Sequence, residues 1–189
     1  LVNTNLRDVA PMNDLDLRGT GSLTGRIWGP FNRLQFEGYG DLRDFSIAGI
    51  PYADRLIAEL RSPNMKSLLL ENARATKGSS HYGGSLGLEF KPTFSMQTSL
   101  ELHRGRVEDI LGMFLDLDGV TGNMTGTLEL DGPFYEMNGS SHMTFANVNL
   151  FGERFQTGEA HSTMLGGRFT LNDLRLLRNQ GKTGLTLRG

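Results

Sequence analysis

The sequence predicts a mainly β protein, one long antiparallel sheet built from two units of roughly 100 residues with one or two short helices. Three observations carry this reading: two-residue alternation of apolar and polar side chains, turn signals at regular spacing, and an ordered series of motifs that occurs twice. In the clearest stretch Phe94, Met96, Leu100 and Leu102 alternate with Ser95, Gln97, Ser99, Glu101 and His103. Such a strand has one dry face and one wet face.

The same alternation places Leu23 and Ile27 on one face, then Leu34 with Phe36, then Leu86 with Leu88 and Phe90. Further on, Met124, Leu128 and Leu130 oppose Thr125, Thr127, Glu129 and Asp131. Gly29-Pro30-Phe31, Ser62-Pro63-Asn64, Lys77-Gly78 and Gly132-Pro133-Phe134 read as turns between strands. Leu68 and Leu70 share a parity that Ala73 and Ala75 break, and Phe169 and Leu171 stand likewise to Leu174 and Leu176. One extra residue near Asn72 and one near Asp173, each a β-bulge, restores both sets to one face. A different period governs Val107, Ile110, Leu111, Phe114 and Leu115, which form a helical stripe with Glu108 and Asp109 at its start and Asp118-Gly119 at its exit. The stripe is expected to pack on the sheet. Its counterpart, Leu6 to Met12, holds Pro11 and reads as a weaker copy.

The repeat runs through most of the chain. Thr20-Gly-Ser-Leu-Thr-Gly25 returns as Thr121-Gly-Asn-Met-Thr-Gly126, and Asp16-Leu-Arg-Gly19 as Asp116-Leu-Asp-Gly119. Leu42, Phe45, Ile47, Gly49 and Tyr52 match Phe145, Val148, Leu150, Gly152 and Phe155, all displaced by 103 residues. The units are therefore set at residues 1–103 and 104–189, continuous with each other. An array of this kind works through an extended surface more than through one pocket.

Composition excludes several classes. Nineteen basic against 21 acidic residues give a net charge of −2, which argues against a nucleic-acid partner. No run of 18 apolar residues spans a bilayer, and the absence of cysteine fits an oxidising compartment without disulfides. The chain opens at Leu1 without an initiator methionine or signal sequence, so it reads as a fragment of a longer protein.

Chemical motifs do not survive inspection. Gly83-Gly-Ser-Leu-Gly87 matches a nucleophile elbow, but a strand-like run follows it where a helix is required. Gly19, Gly21 and Gly25 lack the spacing of a dinucleotide fingerprint. A calcium loop with Gly119 in sixth place would put Phe114 first and Thr125 twelfth, neither a carboxylate. His81, His103, His142 and His161 are scattered without a metal-binding spacing, and Asn123-Met-Thr125 and Asn138-Gly-Ser140 are only formal glycosylation sequons. The expectation is a protein with no enzymatic activity, metal or cofactor.

Three runs, Ala48-Gly-Ile-Pro-Tyr52, Leu60-Arg-Ser-Pro-Asn-Met65 and Ala73 to Phe90, together with the paired Thr-Gly and Gly-Pro motifs, resemble the TamB family of the AsmA-like group of Gram-negative bacteria. The resemblance implies a taco-like, U-shaped trough with a hydrophobic interior, in a periplasmic protein anchored in the inner membrane. It implies phospholipid movement toward the outer membrane, with assembly of outer-membrane proteins beside an Omp85-type barrel as the alternative. Docking on such a barrel would fall to other regions of the parent protein. A dozen strands about 4.8 Å apart would extend roughly 55 Å. The expected lining is Leu23, Ile27, Leu34, Phe36, Leu86, Leu88, Phe90, Met96, Leu100, Leu128, Leu130, Met143 and Phe145, with phospholipid acyl chains as the partner. Alternation alone favours an ordinary closed sandwich core. Against that, one good helix cannot cover a dozen one-sided strands, and a large open apolar face on a monomer implies a ligand or partner. Conduit, assembly scaffold and passive rod are the three classes that result. The edges of the excised array are expected to pair with neighbouring copies.

Overall fold

A computed structural model describes residues 2–6, 16–64, 66–90, 93–113, 118–178 and 183–189. Twelve strands form one antiparallel sheet in sequence order: β1 (Val2–Asn5), β2 (Arg18–Trp28), β3 (Gln35–Ile47), β4 (Ile50–Ser62), β5 (Ser67–Lys77), β6 (Ser80–Glu89), β7 (Ser95–Arg106), β8 (Val120–Pro133), β9 (Asn138–Leu150), β10 (Glu153–Leu165), β11 (Arg168–Arg178) and β12 (Thr183–Arg188). Every strand pairs with its neighbours in sequence, so β1 and β12 are the two edges. The boundary expected at residue 103/104 falls inside β7, and no linker interrupts the sheet there.

Short connections produce this meander. Ala48-Gly49 and Phe151-Gly152 are two-residue hairpin loops in which both residues have positive φ, 51° and 81° in the first, 50° and 91° in the second. That is the backbone a type I′ turn requires, because its twist matches the strands it joins. The two loops are 103 residues apart. So are two bulges, where Asp44 in β3 and Asn147 in β9 take φ of 53° and the register with the preceding strand shifts. The bulge expected near Asn72 is present: Leu70 pairs with Leu86 and Ala73 with Gly84, which leaves one residue more on β5 than on β6, and Asn72 has φ 50°. In β11 the extra residue is Asn172, between Leu171 and Asp173.

The described helix covers the first part of the stripe. It runs from Val107 to Leu111, while Phe114 and Leu115 lie outside the described residues. Val107 is buried beside Leu102, Val120 and Met124, with Ile110 and Leu111 against them, so the stripe does pack on the sheet. The helix start is also tied to the β5–β6 hairpin. Asp109 Oδ2 accepts hydrogen bonds from the Ser79 N–H and the hydroxyls of Ser79 and Ser80, and the Ser80 hydroxyl accepts from the Arg106 N–H. Of the weaker N-terminal copy only Leu6 is described, and it is buried in the core; residues 7–12 lie outside the described residues.

Across the same hairpin, Asp54 accepts hydrogen bonds from Lys77 Nζ at 2.9 Å and from the Gly78 N–H at 2.7 Å. The Lys77 bond first, then the Gly78 N–H, holds the Asp54 carboxyl below its ordinary range. Its stabilising contribution is therefore present above the ordinary carboxylate range and is lost as pH falls through the lowered value. Asp54→Asn is expected to narrow the gap between the melting temperatures at pH 7 and pH 3. An unchanged gap would show that the pairing contributes nothing to folding.

The main core belongs to the first seven strands. Leu42, Leu56, Leu60, Leu68, Leu70, Leu88 and Met96 are each at most 8% exposed. Phe94, Phe134 and Met137, from loops at one end of the strands, pack on this cluster, with the Phe94 and Phe134 ring centroids 5.4 Å apart.

Candidate apolar groove

Strand register decides which side chains share a face, since cross-strand partners point the same way. One row runs from β3 to β12 without a break: Leu42, Leu56, Ala75, Tyr82, Leu102, Gly126, Met143, Ala160, Leu174 and Leu187. A second runs from β4 to β11 as Leu60, Leu70, Leu86, Thr98, Leu130, Gly139, Met164 and Phe169. Neither row holds a charged residue. The next positions along the strands carry the charges, as in the pairs Arg26–Glu37 and Arg55–Asp41, and Glu129 stands between Leu128 and Leu130.

The few polar groups on this face are already engaged. Thr98 Oγ1 donates to the Ser85 carbonyl at 2.9 Å, and the hydroxyls of Ser141 and Ser162 bond each other at 2.7 Å. The Tyr82 hydroxyl donates to the Tyr52 carbonyl, and burial pushes both phenols above their ordinary range. Satisfied hydroxyls offer no anchor to a polar headgroup, so the surface grips apolar matter without geometry.

Eleven of the thirteen expected lining residues sit on this face within strands: Leu23, Ile27, Phe36, Leu86, Leu88, Met96, Leu100, Leu128, Leu130, Met143 and Phe145. Leu34 and Phe90 stand just outside strands, with Phe90 packed against the same core. Leu34 follows a 3-10 turn over Phe31–Arg33, and Phe90 lies one residue past β6, so neither is a strand position. Leu88 and Met96 are the most enclosed of the thirteen. They are 0% and 6% exposed, sealed in the core and not on an open wall.

The sealing is uneven along the sheet. In the second half Leu100, Leu128, Leu130, Met143, Met164 and Leu174 are half-buried, and Phe169 and Leu187 are open to solvent. One end of the strands, at the turns after β2, β8 and β10, carries Trp28, Phe31, Tyr135 and Leu165, all exposed. Alternation could not reveal this gradient, because it marks which face is apolar and not how much of it is covered.

A shallow groove of about 550 Å³ crosses β5 to β9, lined largely by the polar face, including Glu71, Ser85, Gln97, Ser99, Glu129 and Asp131. It also borders Leu70, Leu86, Thr98, Leu130 and Gly139 of the second row, so its lining is mixed. Ser85, the centre of the elbow-like motif, lies inside β6 and not at a strand-to-helix turn. Among the described residues no helix is long and apolar enough to cross a membrane.

Fold and surface together define a single-layer antiparallel meander whose apolar face is most fully buried across β3 to β7 and more open at Ile27 and over much of the second half. Comparison with protein-family models, with curated proteins and with solved structures finds no match to this chain.

Proposed function

We propose that this chain is a section of a lipid-carrying bridge, a curved trough of two repeated units along which phospholipid acyl chains move between the inner and outer membranes of a Gram-negative bacterium. The observation that carries the reading is the charge-free row that crosses ten strands from Leu42 to Leu187. Moving one 16-carbon chain into water costs about 13 kcal/mol at about 0.8 kcal/mol per methylene. A continuous apolar surface removes most of that barrier. Burial of Leu70 and Leu88 to 2% or less in one layer of strands supports a sheet that curls over its apolar face. The matching loops and bulges 103 residues apart support the repeat, and the TamB-like motifs support the periplasmic setting.

A second reading has its own observation. Among the described strands, β1 and β12 stand at the two ends of the sheet, each paired with one strand. Such edges accept extended peptides by β-augmentation, as a scaffold for outer-membrane proteins beside an Omp85-type barrel would require, or pair with neighbouring copies.

Photo-crosslinking separates the two. A photoreactive residue is placed at Leu128, on the apolar face, and in a second protein at Glu129, on the polar face, in cells whose phospholipids carry radiolabelled phosphate. Label at Leu128 and not at Glu129 is the expected result. Labelled protein at neither site, with crosslinks to unfolded outer-membrane proteins at the β1 or β12 edge, would replace the conduit with the scaffold.

A further inference from the structure

We propose that the polar face of β9, β10 and β11 carries a binding site for a divalent transition cation of the zinc class, held by His142, Glu159 and His161 and oriented by Asp173. His142 and His161 are direct cross-strand partners, and their rings stack at 4.3 Å with an interplanar angle of 11°. The Nε2 atoms of both rings face one oxygen, Glu159 Oε1, each at 3.7 Å. The three donor atoms lie within 4.8 Å of one another.

The spacing is informative. At 3.7 Å the carboxylate is beyond good hydrogen-bond distance from both nitrogens. Donors around a tetrahedral zinc ion at about 2.0–2.1 Å stand roughly 3.3 Å apart. Rotation of the two rings out of their stack, with the Glu159 carboxylate moving in, brings the three donors onto one ion. Two imidazole nitrogens and one carboxylate oxygen are a donor set that zinc accepts, with the exposed side of the cluster left for water.

Asp173 supplies the feature that a chance pair of surface histidines lacks. Its carboxylate lies 3.1 Å and 3.2 Å from His161 Nδ1 and pairs with it in the register between β10 and β11. A carboxylate in that place holds the proton on Nδ1 and leaves the Nε2 lone pair free for a metal, the arrangement by which outer groups orient metal-binding histidines. The bulge at Asn172 shifts the β10–β11 register at His161 and Ser162 and brings Asp173 opposite His161. All four residues belong to strands, so their backbones are held by the sheet. An ion bound here would tie β9 to β10, directly behind the half-open part of the apolar face.

The whole chain is titrated with zinc chloride in competition with a chromophoric chelator, and with cobalt chloride to follow the visible absorption of a low-symmetry N/O site. The expected result is one ion per chain, a rise in melting temperature with zinc, and an affinity at least tenfold weaker in His142→Ala, His161→Ala and Glu159→Gln. Asp173→Asn is expected to weaken binding about tenfold, as loss of an orienting carboxylate does. The double variant His81→Ala/His103→Ala is expected to leave binding unchanged. Nitrogen-15 spectra of the unaltered protein locate the ion without relying on any variant: zinc should move the imidazole signals of His142 and His161 together. Absence of saturable binding, signal changes confined to His81 or His103, or affinity unaltered in the three ligand variants would overturn the site.

Discussion

Leu88→Ala is expected to destabilise the protein by about 3 kcal/mol, within the 2–5 kcal/mol found for buried leucines cut to alanine. Leu88 has no exposed surface and sits between Leu68 and Met96 in the register. Removing its isopropyl group loses transfer free energy and leaves a void that the neighbouring strands, held by their ladders, fill only in part. Leu128→Ala is the matched comparison. Leu128 lies on the same face but is half-buried, paired with Leu100 and Ser141. Its truncation is expected to cost about 1 kcal/mol, because it gives up less buried area and leaves no sealed cavity. Denaturant unfolding of both variants measures the difference. Equal losses would mean that the sheet encloses Leu88 and Leu128 alike.

The second large effect concerns passage along the groove. On the conduit reading, Met143→Asp places a carboxylate in the middle of the unbroken row, between Gly126 and Ala160. An acyl chain passing it must desolvate a charge or detach, and either costs several kcal/mol. Phospholipid label captured by a photoreactive residue at Leu128 is expected to fall at least tenfold in this variant. Thr144→Asp, one residue along and on the opposite face, is expected to leave the label unchanged. Far-UV circular dichroism on both proteins separates a blocked groove from a lost fold. Full labelling in a folded Met143→Asp protein would remove the continuous apolar row as the path.

Most of the sheet was legible from local pattern. Alternation from Met96 to Leu102 and from Met124 to Leu130 marked the strands and their dry side, and a change of parity between Leu70 and Ala73 marked the bulge that the register contains. Leu34 and Phe90 stand one residue outside their strands yet keep the strand parity, and the Phe90 N–H still donates to the Lys66 carbonyl at 2.8 Å. The described helix covers Val107 to Leu111, and the far end of the stripe, Phe114 and Leu115, lies outside the described residues.

The histidine cluster was missed for a different reason. His142 and His161 are 19 residues apart, a separation with no meaning until a turn is placed between them. His142 lies nine residues before Phe151 and His161 nine after Gly152, so a hairpin centred on that pair makes them direct partners. Phe151 at a positive φ concealed the turn, since Asn or Asp is the usual signal there. Asp173 reaches the cluster only through the extra residue at Asn172.

What the sequence determined by itself is the strand class, the face that is apolar, and the recurrence of loops and bulges about 103 residues apart. These follow from backbone geometry, in which side-chain direction has period two and tight turns demand particular residues. What only the tertiary structure decided is how far the apolar face is covered and which distant polar groups meet. Coverage depends on loops such as those of Phe94 and Phe134 reaching over neighbouring strands, and meeting depends on register. Both are set by contacts between segments far apart in the chain, about which local pattern carries no information.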